Sequence, residues 1–276
     1  FHFGSLKLHS LCFHFNTLHL RPITTIHAQS DIMRSSTATT ITNTTLTKTD
    51  SSIQIKWDQI DVAFLDMDGT LLDLNYDNQV WNVVVPSAYA KKESMDLDQA
   101  RLTLFQHMAK IRGTIDFYSF DYWAAYTGLD IFALHREKAD LVAYRPGALA
   151  FLRCLQAIAN KVILATKAHP GSLLVKDEPV NIAAEVDAVV SSDQFNVPKE
   201  DTSFWLGMQK IQPFDPARAL FIDDSQPVLV CASRYGIQNV LCIAKPDSAK
   251  PRRDPEALSY PALHHFNDIL PVSEHV

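Results

Sequence analysis

The chain has 276 residues, of which 47% are hydrophobic, 20% charged and 10% aromatic. This composition is that of a globular protein with a substantial core, and it excludes a collagen, a coiled coil and a chain disordered throughout. The net charge of −6 argues against a nucleic-acid partner, because surfaces that bind nucleic acid neutralise phosphates with a basic stripe. The four cysteines form no C-x-x-C pair, so we expect neither a zinc site nor disulfides, but reduced thiols in a cytoplasmic protein.

The first 56 residues differ in composition from the rest of the chain. Residues 1–27 mix Phe, Leu and His, and residues 30–52 are dominated by Ser and Thr. No hydrophobic period predicts a packed element there, so we expect a disordered leader over residues 1–56. Met33 is the first methionine, which favours upstream translated or cloning-derived sequence before it over a targeting peptide. No apolar run reaches the ~18 residues of a membrane helix, so we expect no membrane partner.

From Trp57 onward, short β-branched runs alternate with amphipathic stretches. Five runs predict buried strands, over Val62–Asp66, Lys161–Thr166, Ala188–Ser191, Ala219–Asp223 and Val240–Ala244. Helices are predicted over Gly147–Ala159, Ser172–Val186 in pieces, Thr202–Ile211 and Pro227–Tyr235, with Pro146 and Pro227 in first turns. The alternation is typical of an α/β protein with a parallel sheet covered on both faces. Residues 78–143 interrupt it and predict a helical insert after the first strand.

Polar residues collect where the predicted strands end. In open α/β sheets, ligands bind at the carboxyl ends of the strands. The residues at or near these ends are Asp66, Asp68, Thr166, Lys167, Lys199, Asp223 and Asp224. Four carboxylates, a hydroxyl and ammonium groups at one edge predict a site for a divalent cation and a phosphoryl group, and carboxylates favour hard cations such as Mg²⁺.

The order of these residues resembles the four motifs of the haloacid dehalogenase-like hydrolases. The motifs are Asp66–Thr70 at the first strand, Thr166 at the second, Lys199 before the fourth and Asp223-Asp224 at its end. The resemblance runs from Trp57 to about Pro271 and implies a Rossmann-like core over residues 57–77 and 144–276. The insert lies where the type-one caps of this superfamily lie, which implies an all-helical cap over residues 78–143.

A finer resemblance is to the bacterial GMP/IMP nucleotidases. It is carried by Trp57–Asp61, Leu65–Leu74, Asp121–Trp123 with Gly128–Ile131, Ala168–Pro170, Pro198–Asp201, Phe221–Ser225 and Pro246–Ser248. The resemblance implies a small-molecule phosphomonoester as substrate, namely a purine mononucleotide. Two alternatives share the motifs: a sugar-phosphate phosphatase or phosphomutase, and a catalytically silent relative that binds partners through its cap.

The resemblance also implies a role for each motif residue. Asp66 is the nucleophile, which forms an aspartyl-phosphate, and Asp68 is the general acid and base. Thr166 and the backbone amide of Lys167 bind the phosphoryl group, and Lys199 bridges the nucleophile and the phosphate. The ligands of Mg²⁺ are Asp66, the backbone carbonyl of Asp68, Asp224 and, directly or through water, Asp223.

Two positions depart from the family pattern, and the cap leaves a choice open. Lys167 stands where the nucleotidases usually have Asn, and Val228 stands where the wider superfamily often has a further acid. His169 is placed for substrate contact or for a helix cap. The cap aromatics either stack on a purine or form the cap's own core, and we expect most to be structural. They are Trp81, Phe105, Phe117, Tyr118, Phe120, Tyr122, Trp123 and Tyr126.

Overall fold

A computed structural model describes residues 53–158 and 161–270 of the protein. The expected disordered leader lies, up to residue 52, outside the described residues. Within its last part, Ile53 and Ile55 are half-buried and pack against the apolar core. Packing against the core therefore includes described residues that precede Trp57, where the composition changes.

The described residues form a six-stranded sheet in which all neighbouring strands are parallel. The strands are β1 (Val62–Leu65), β2 (Lys161–Thr166), β3 (Ala188–Ser191), β4 (Ala219–Asp223), β5 (Asn239–Ile243) and β6 (Ala262–Leu263). Their order across the sheet is β3-β2-β1-β4-β5-β6. The predicted parallel α/β architecture is confirmed. The strand β6 was not predicted, because two residues are too short to show a period.

Nine α-helices accompany the sheet in the described residues. The helices of the insert are α1 (Asn75–Gln79), α2 (Val85–Glu93), α3 (Leu97–Ile111), α4 (Phe120–Thr127) and α5 (Ile131–Arg136). Those that cover the sheet are α6 (Ala148–Ala157), α7 (Pro170–Val180), α8 (Thr202–Ile211) and α9 (Gln226–Tyr235). Residues 78–143 contain helices and turns without a strand. None of the described helices is long and apolar enough to cross a membrane.

The strand β1 shows why both faces of the sheet are covered. All four of its residues are buried. Ala63 and Leu65 point to one apolar cluster, which includes Phe151 of α6. Val62 and Phe64 point to the other, which includes residues of α8 and α9. Because successive strand residues face opposite sides, an uninterrupted apolar strand requires helices on both faces.

Two helix boundaries differ from the prediction. Pro146 precedes the helix rather than occupying its first turn, because Gly147 has a left-handed φ of 81° and α6 begins only at Ala148. The helix α7 begins at Pro170, two residues before the predicted start, and the predicted break in the stretch 172–186 falls at Asn181, whose φ of 52° ends α7 before the short 3₁₀ turn Ile182–Glu185. Pro227 lies in the first turn of α9, as predicted.

The segment that leads from β1 into the insert is fastened to the loop after β5. The backbone amide of Leu74 donates to the Pro246 carbonyl at 3.0 Å. The Asn78 side chain donates to Asp247 Oδ2 at 2.7 Å, and Asp247 is buried. The backbone amide of Ser248 donates to Asp73 Oδ1 at 3.0 Å. The start of the insert is thus held by a part of the chain far from it in sequence.

His135 of α5 is buried where the insert meets this segment. Its Nδ1 lies 3.0 Å from the Tyr76 hydroxyl, and that hydroxyl donates to the His135 carbonyl at 3.1 Å. The imidazole packs against Phe120, with ring centroids 4.3 Å apart. Burial lowers the pKa of His135 to about 3, so the neutral imidazole is part of the packed structure.

His135 gives the stability of the protein a specific pH dependence. A histidine whose pKa is lowered on folding takes up its proton only in the unfolded state, so its contribution to stability falls as the pH drops below about 6.5. We expect the stability advantage of the wild type over His135→Gln to shrink by about 2 kcal/mol between pH 7 and pH 5. Urea unfolding of both proteins at the two pH values measures this difference. A pH-independent difference would show that folding does not lower the pKa of His135.

Candidate active site

The neighbouring strands β2, β1 and β4 bring the predicted site residues to one edge of the sheet. Asp66 follows β1, Thr166 ends β2 and Asp223 ends β4, and all three are buried. Because β1 pairs in parallel with both neighbours, the three carboxyl ends point the same way. The predicted meeting of these side chains follows from the register of the sheet.

The Lys199 ammonium lies at the centre of this edge and is fully buried. Its Nζ donates to Asp66 Oδ1 at 2.5 Å, to Asp223 Oδ2 at 2.7 Å and to the Ala165 carbonyl at 2.7 Å. All three donors of the ammonium thereby have acceptors. Although burial alone lowers it, the charges of Asp223 and Asp66 raise the pKa of Lys199 above its ordinary value. The lysine is therefore a fixed positive charge between two carboxylates.

Three carboxylates at this edge form a cluster suited to a cation. Asp66, Asp223 and Asp224 each offer an oxygen, and these oxygens lie within 4.8 Å of one another. Burial, opposed by Lys199 and reinforced by Asp223, raises the pKa of Asp66 to about 7. Burial with the charges of Asp223 and Asp66 raises that of Asp224 to about 7. Crowded carboxylates that resist ionisation fit a hard divalent cation, which would neutralise them.

Arg253, which the sequence did not point to, holds Asp224 in place. Its guanidinium donates to Asp224 Oδ2 at 3.0 Å and also to the Asp224 carbonyl. Val228, where a further acid was considered, is fully buried in the apolar cluster beneath β4. The described acids at this position are therefore Asp223 and Asp224, and an arginine from beyond β5 contacts the second of them.

Gly69 allows the chain to turn tightly against the acidic cluster. Its φ is 81°, a left-handed conformation that other residues rarely adopt. A Cβ atom on Gly69 would lie 3.0 Å from the Asp224 side chain and 3.0 Å from the Pro246 Cβ. The turn after Asp68 therefore depends on glycine both for its conformation and for the close approach of Asp224.

Asp68 lies at the mouth of the site and contacts a lysine that we did not predict. Its Oδ1 is 2.7 Å from Nζ of Lys176, a buried residue of α7. Burial and the nearby charge of Asp77, opposed by Lys176, raise the pKa of Asp68 to about 6. Lys176 shares the buried face of α7 with Ser172 and Val175. This helical spacing is the signal in the sequence that a lysine lies on the inner face.

Thr166, which ends β2, and Lys167, which follows it, behave differently. The Thr166 hydroxyl accepts from the Ala168 amide at 3.0 Å and remains at the site. The Lys167 side chain is instead engaged by two neighbours. Its Nζ donates to Glu200 at 2.8 Å and lies 4.8 Å from the centre of the Tyr118 ring in the insert. A contact of this side chain with a phosphoryl group would compete with that ion pair. The backbone amide, which is the predicted donor, is not affected by it.

A cavity of about 770 Å³ opens above this edge and is bounded by the insert on its other side. Its floor includes Asp66, Asp68, Thr166, Lys167, Lys176 and Asp224. Its lining from the insert includes Asn78, Trp81, Asn82, Met108, Arg112, Phe117, Tyr118, Phe120 and His135. His169 also lines it, while capping α7 through a hydrogen bond from the Gly171 amide at 3.1 Å.

The cap aromatics divide into two groups. Those that line the cavity are Trp81, Phe117, Tyr118 and Phe120. The others pack elsewhere: Trp123 is fully buried, the rings of Tyr122 and Tyr126 stack on His107, and Phe105 is 39% exposed. Our expectation that most are structural stays a prediction for the four that line the cavity, since helical spacing does not show what each face contacts.

The family of the chain follows from its comparison with known sequences. A model of the haloacid dehalogenase-like hydrolases matches residues 60–227, which include every predicted site residue. The chain belongs to the haloacid dehalogenase-like hydrolases. The motif resemblance is confirmed, and the chain is an enzyme of this hydrolase family.

Curated relatives with similar sequences carry a more specific name. The GMP/IMP nucleotidase YrfG of Escherichia coli is 34% identical over 219 residues, which are 79% of this chain and 98% of that protein. The protein of the same name from Shigella flexneri matches to the same extent. The resemblance to bacterial GMP/IMP nucleotidases is therefore confirmed at the level of sequence.

Solved structures of two other proteins share the fold. A HAD phosphatase from Thermococcus onnurineus has a TM-score of 0.62 at 18% identity, covering 74% of this chain and 93% of that one. A predicted phosphoglycolate phosphatase from Haemophilus somnus 129PT has a TM-score of 0.57 at 13% identity, covering 76% and 96%. At such identities the likeness concerns the fold, and function rests on the site.

Removal of the central lysine of this hydrolase is expected to destabilise the fold. Lys199→Met leaves two buried carboxylates without their cation, and breaking a buried pair in this way costs about 3–5 kcal/mol of unfolding free energy. Urea unfolding of the metal-free protein measures the loss. Lys210→Met, which changes an exposed lysine of α8, is the control. Equal stability of both variants would contradict a structural role of the Lys199 ion pairs.

Proposed function

We propose that the chain is a Mg²⁺-dependent phosphomonoesterase that acts through an aspartyl-phosphate, with purine 5′-mononucleotides such as GMP and IMP as substrates. The observation that carries the proposal is the position of Asp66, Thr166 and Asp224 on the floor of a cavity with an aromatic-rich roof. The buried Lys199 ammonium donates to Asp66 from behind this floor. A nucleophile, charge neutralisation and hydroxyl donors at one point suit phosphoryl transfer.

In this mechanism, Asp66 attacks phosphorus and splits one difficult displacement into two. Lys199 holds Oδ1 of Asp66, which leaves Oδ2 for attack. The Thr166 hydroxyl and the Lys167 amide donate to phosphoryl oxygens, where negative charge is spread in the transition state. Asp68 protonates the leaving oxygen and then accepts a proton from the water that hydrolyses the phosphorylated Asp66.

The acidic cluster supports a role for Mg²⁺. Asp66 and Asp224 would hold the ion together with the backbone carbonyl of Asp68, and Asp223 would join them directly or through water. When bound, the ion supplies positive charge that allows an anionic phosphate to approach an anionic nucleophile. The Arg253 hydrogen bonds to Asp224 fix the orientation of that carboxylate.

The roof of the cavity supports a purine as leaving group. A volume of about 770 Å³ is within the range of small-molecule sites. Flat apolar faces come from Trp81, Phe117 and Phe120, and donors come from Asn82 and Arg112. A guanidinium can donate to the 6-oxo group that guanine and hypoxanthine share, whereas the exocyclic amine of adenine presents a donor there. The two curated nucleotidases are consistent with this preference.

A substrate panel tests the proposed function. We expect GMP and IMP to be hydrolysed with higher kcat/KM than AMP, pyrimidine mononucleotides and glucose phosphates. A donor of the site that faces the amine of AMP loses its hydrogen bond, and this lowers kcat/KM more than the loss of apolar contact does. Phosphate release is measured with Mg²⁺ and after chelation, which we expect to abolish turnover. Preference for sugar phosphates would favour the alternative phosphatase, and no hydrolysis of any ester would favour a silent, partner-binding protein.

The two first-motif acids are expected to differ from surface acids in their effect on rate. Asp66→Asn keeps the side-chain volume but removes the nucleophile, so we expect no measurable GMP hydrolysis. Asp68→Asn removes the proton donor, so we expect a loss of about 10²–10⁴ in kcat. Asp98→Asn, whose carboxylate is 90% exposed, is the control and should match the wild type. Substantial turnover by Asp66→Asn would remove this residue from the nucleophile role.

A further inference from the structure

Lys176 is a buried cation to which the proposed reaction assigns no role. Its side chain is 1% exposed. Its Nζ lies 2.7 Å from Asp68 Oδ1 and 2.7 Å from Asp77 Oδ1, and 5.4 Å from the centre of the Tyr76 ring. A buried ammonium is costly unless it is paired, and here two carboxylates share it. A lysine that only filled space in this helix would be replaceable by an apolar residue.

The two carboxylates that Lys176 binds belong to different parts of the protein. Asp68 lies in the turn after β1, within the candidate active site. Asp77 lies in α1, the helix that runs into the insert at residue 78. Lys176 itself belongs to α7, which packs against α5 of the insert. One ammonium therefore ties the turn after β1, the start of the insert and a helix of the sheet layer together.

We propose that Lys176 is a positioning residue that couples the seating of the insert to the orientation of the Asp68 carboxyl group. The inference rests on the proposed function, in which Asp68 is the proton donor. Lys176 binds Oδ1 of Asp68 only when α1, through Asp77, is docked beside it. With Oδ1 held, Oδ2 is the oxygen turned towards the ester. The proton donor is thus in place only when the insert is seated over the cavity.

The proton transfer that this arrangement favours is balanced. An oxygen of Asp66 forms a bond to phosphorus as the bond from phosphorus to the ester oxygen breaks. The electron pair of the broken bond stays on the ester oxygen, which takes the proton from Asp68 Oδ2. Asp68 becomes a carboxylate, whose new charge Lys176 stabilises at 2.7 Å. A water then gives a proton back to Asp68 and attacks phosphorus, which releases phosphate and restores Asp66.

The acidity of the leaving group separates this role from a structural one. A poor leaving group such as phenolate needs the proton from Asp68, whereas dinitrophenolate leaves readily without it. For a reaction through a covalent intermediate, kcat/KM reports the steps up to the first irreversible one, here phosphorylation of Asp66. The experiment therefore compares kcat/KM for phenyl, 4-nitrophenyl and 2,4-dinitrophenyl phosphate.

We expect Lys176→Met to lose at least about tenfold in kcat/KM for phenyl phosphate, as part of the ~10²–10⁴ of general acid catalysis. For 2,4-dinitrophenyl phosphate we expect a loss of less than about threefold, because that ester needs little proton donation. Asp77→Asn keeps the side-chain shape and breaks only the charge link to the insert, so we expect the same selectivity with a smaller loss. If Lys176→Met does not fold, the kcat/KM values of Asp77→Asn test the positioning role.

The matched control is Glu178→Gln on the same helix. Glu178 pairs with Arg136 of α5 at 3.2 Å, so it also joins α7 to the insert, but it does not contact Asp68. We expect this variant to keep the wild-type dependence on the leaving group. An equal loss on all three esters by Lys176→Met and Asp77→Asn, or no loss, would overturn the positioning role.

The inference and the proposed function fail separately. If the wild type hydrolyses none of the aryl phosphates and no nucleotide, the proposed function falls and this inference falls with it. If the wild type hydrolyses them and the folded Lys176 and Asp77 variants show no leaving-group selectivity, only the positioning role is removed.

Discussion

The buried ammonium of Lys199, shared by Asp66 and Asp223, is the interaction on which the rest of the site depends. Neighbouring strands of a sheet lie only about 4.8 Å apart, so acidic residues at the ends of β1 and β4 are forced together. Without a cation between them, the sheet register that places them would be opposed by their repulsion and desolvation. The parallel sheet sets where the negative charges lie, and Lys199 makes that arrangement compatible with a folded protein.

Two further acids at this edge of the sheet are also paired with cations. Asp224 is met by Arg253, which lies beyond β5, and Asp68 is met by Lys176 of α7. Each cation comes from a different segment of the chain. The charges of the site are therefore balanced only when the sheet and these three segments are all in place, so the geometry of the site depends on parts of the fold that lie far apart in sequence.

The sequence predicted those features that local patterns determine. The strands β1 to β5 correspond to short β-branched runs in the sequence, and Asp66, Thr166 and Asp223 stand at or directly after the ends of three of them. Parallel pairing then required that they meet. The fold class and the composition of the acidic edge follow from such short-range information.

The features that the sequence did not predict depend on contacts between segments that lie far apart in the chain. Lys176 lies 99 positions from Asp77, and Arg253 lies 29 positions from Asp224. Nothing local marks either residue as a partner of an acid. The pairing of Lys167 with Glu200 was missed for the same reason. The contacts of the insert were the hardest to predict, because a helical period identifies the inner face of a helix but does not show whether that face meets a cavity or another helix.

The hydrogen bonds between the loop after β5 and the start of the insert show that carrying the motif residues of the family and having a complete active site are two different properties of a chain. The family match ends at residue 227, before Asp247 and Ser248, which hold the start of the insert, and before Arg253. A chain that stopped at β5 would still contain every signature residue by which a hydrolase of this kind is recognised. It would lack the anchor of its roof and one support of its acidic cluster. For this protein, an inventory of motifs is therefore a poor measure of whether a fragment or a redesigned variant is a whole enzyme.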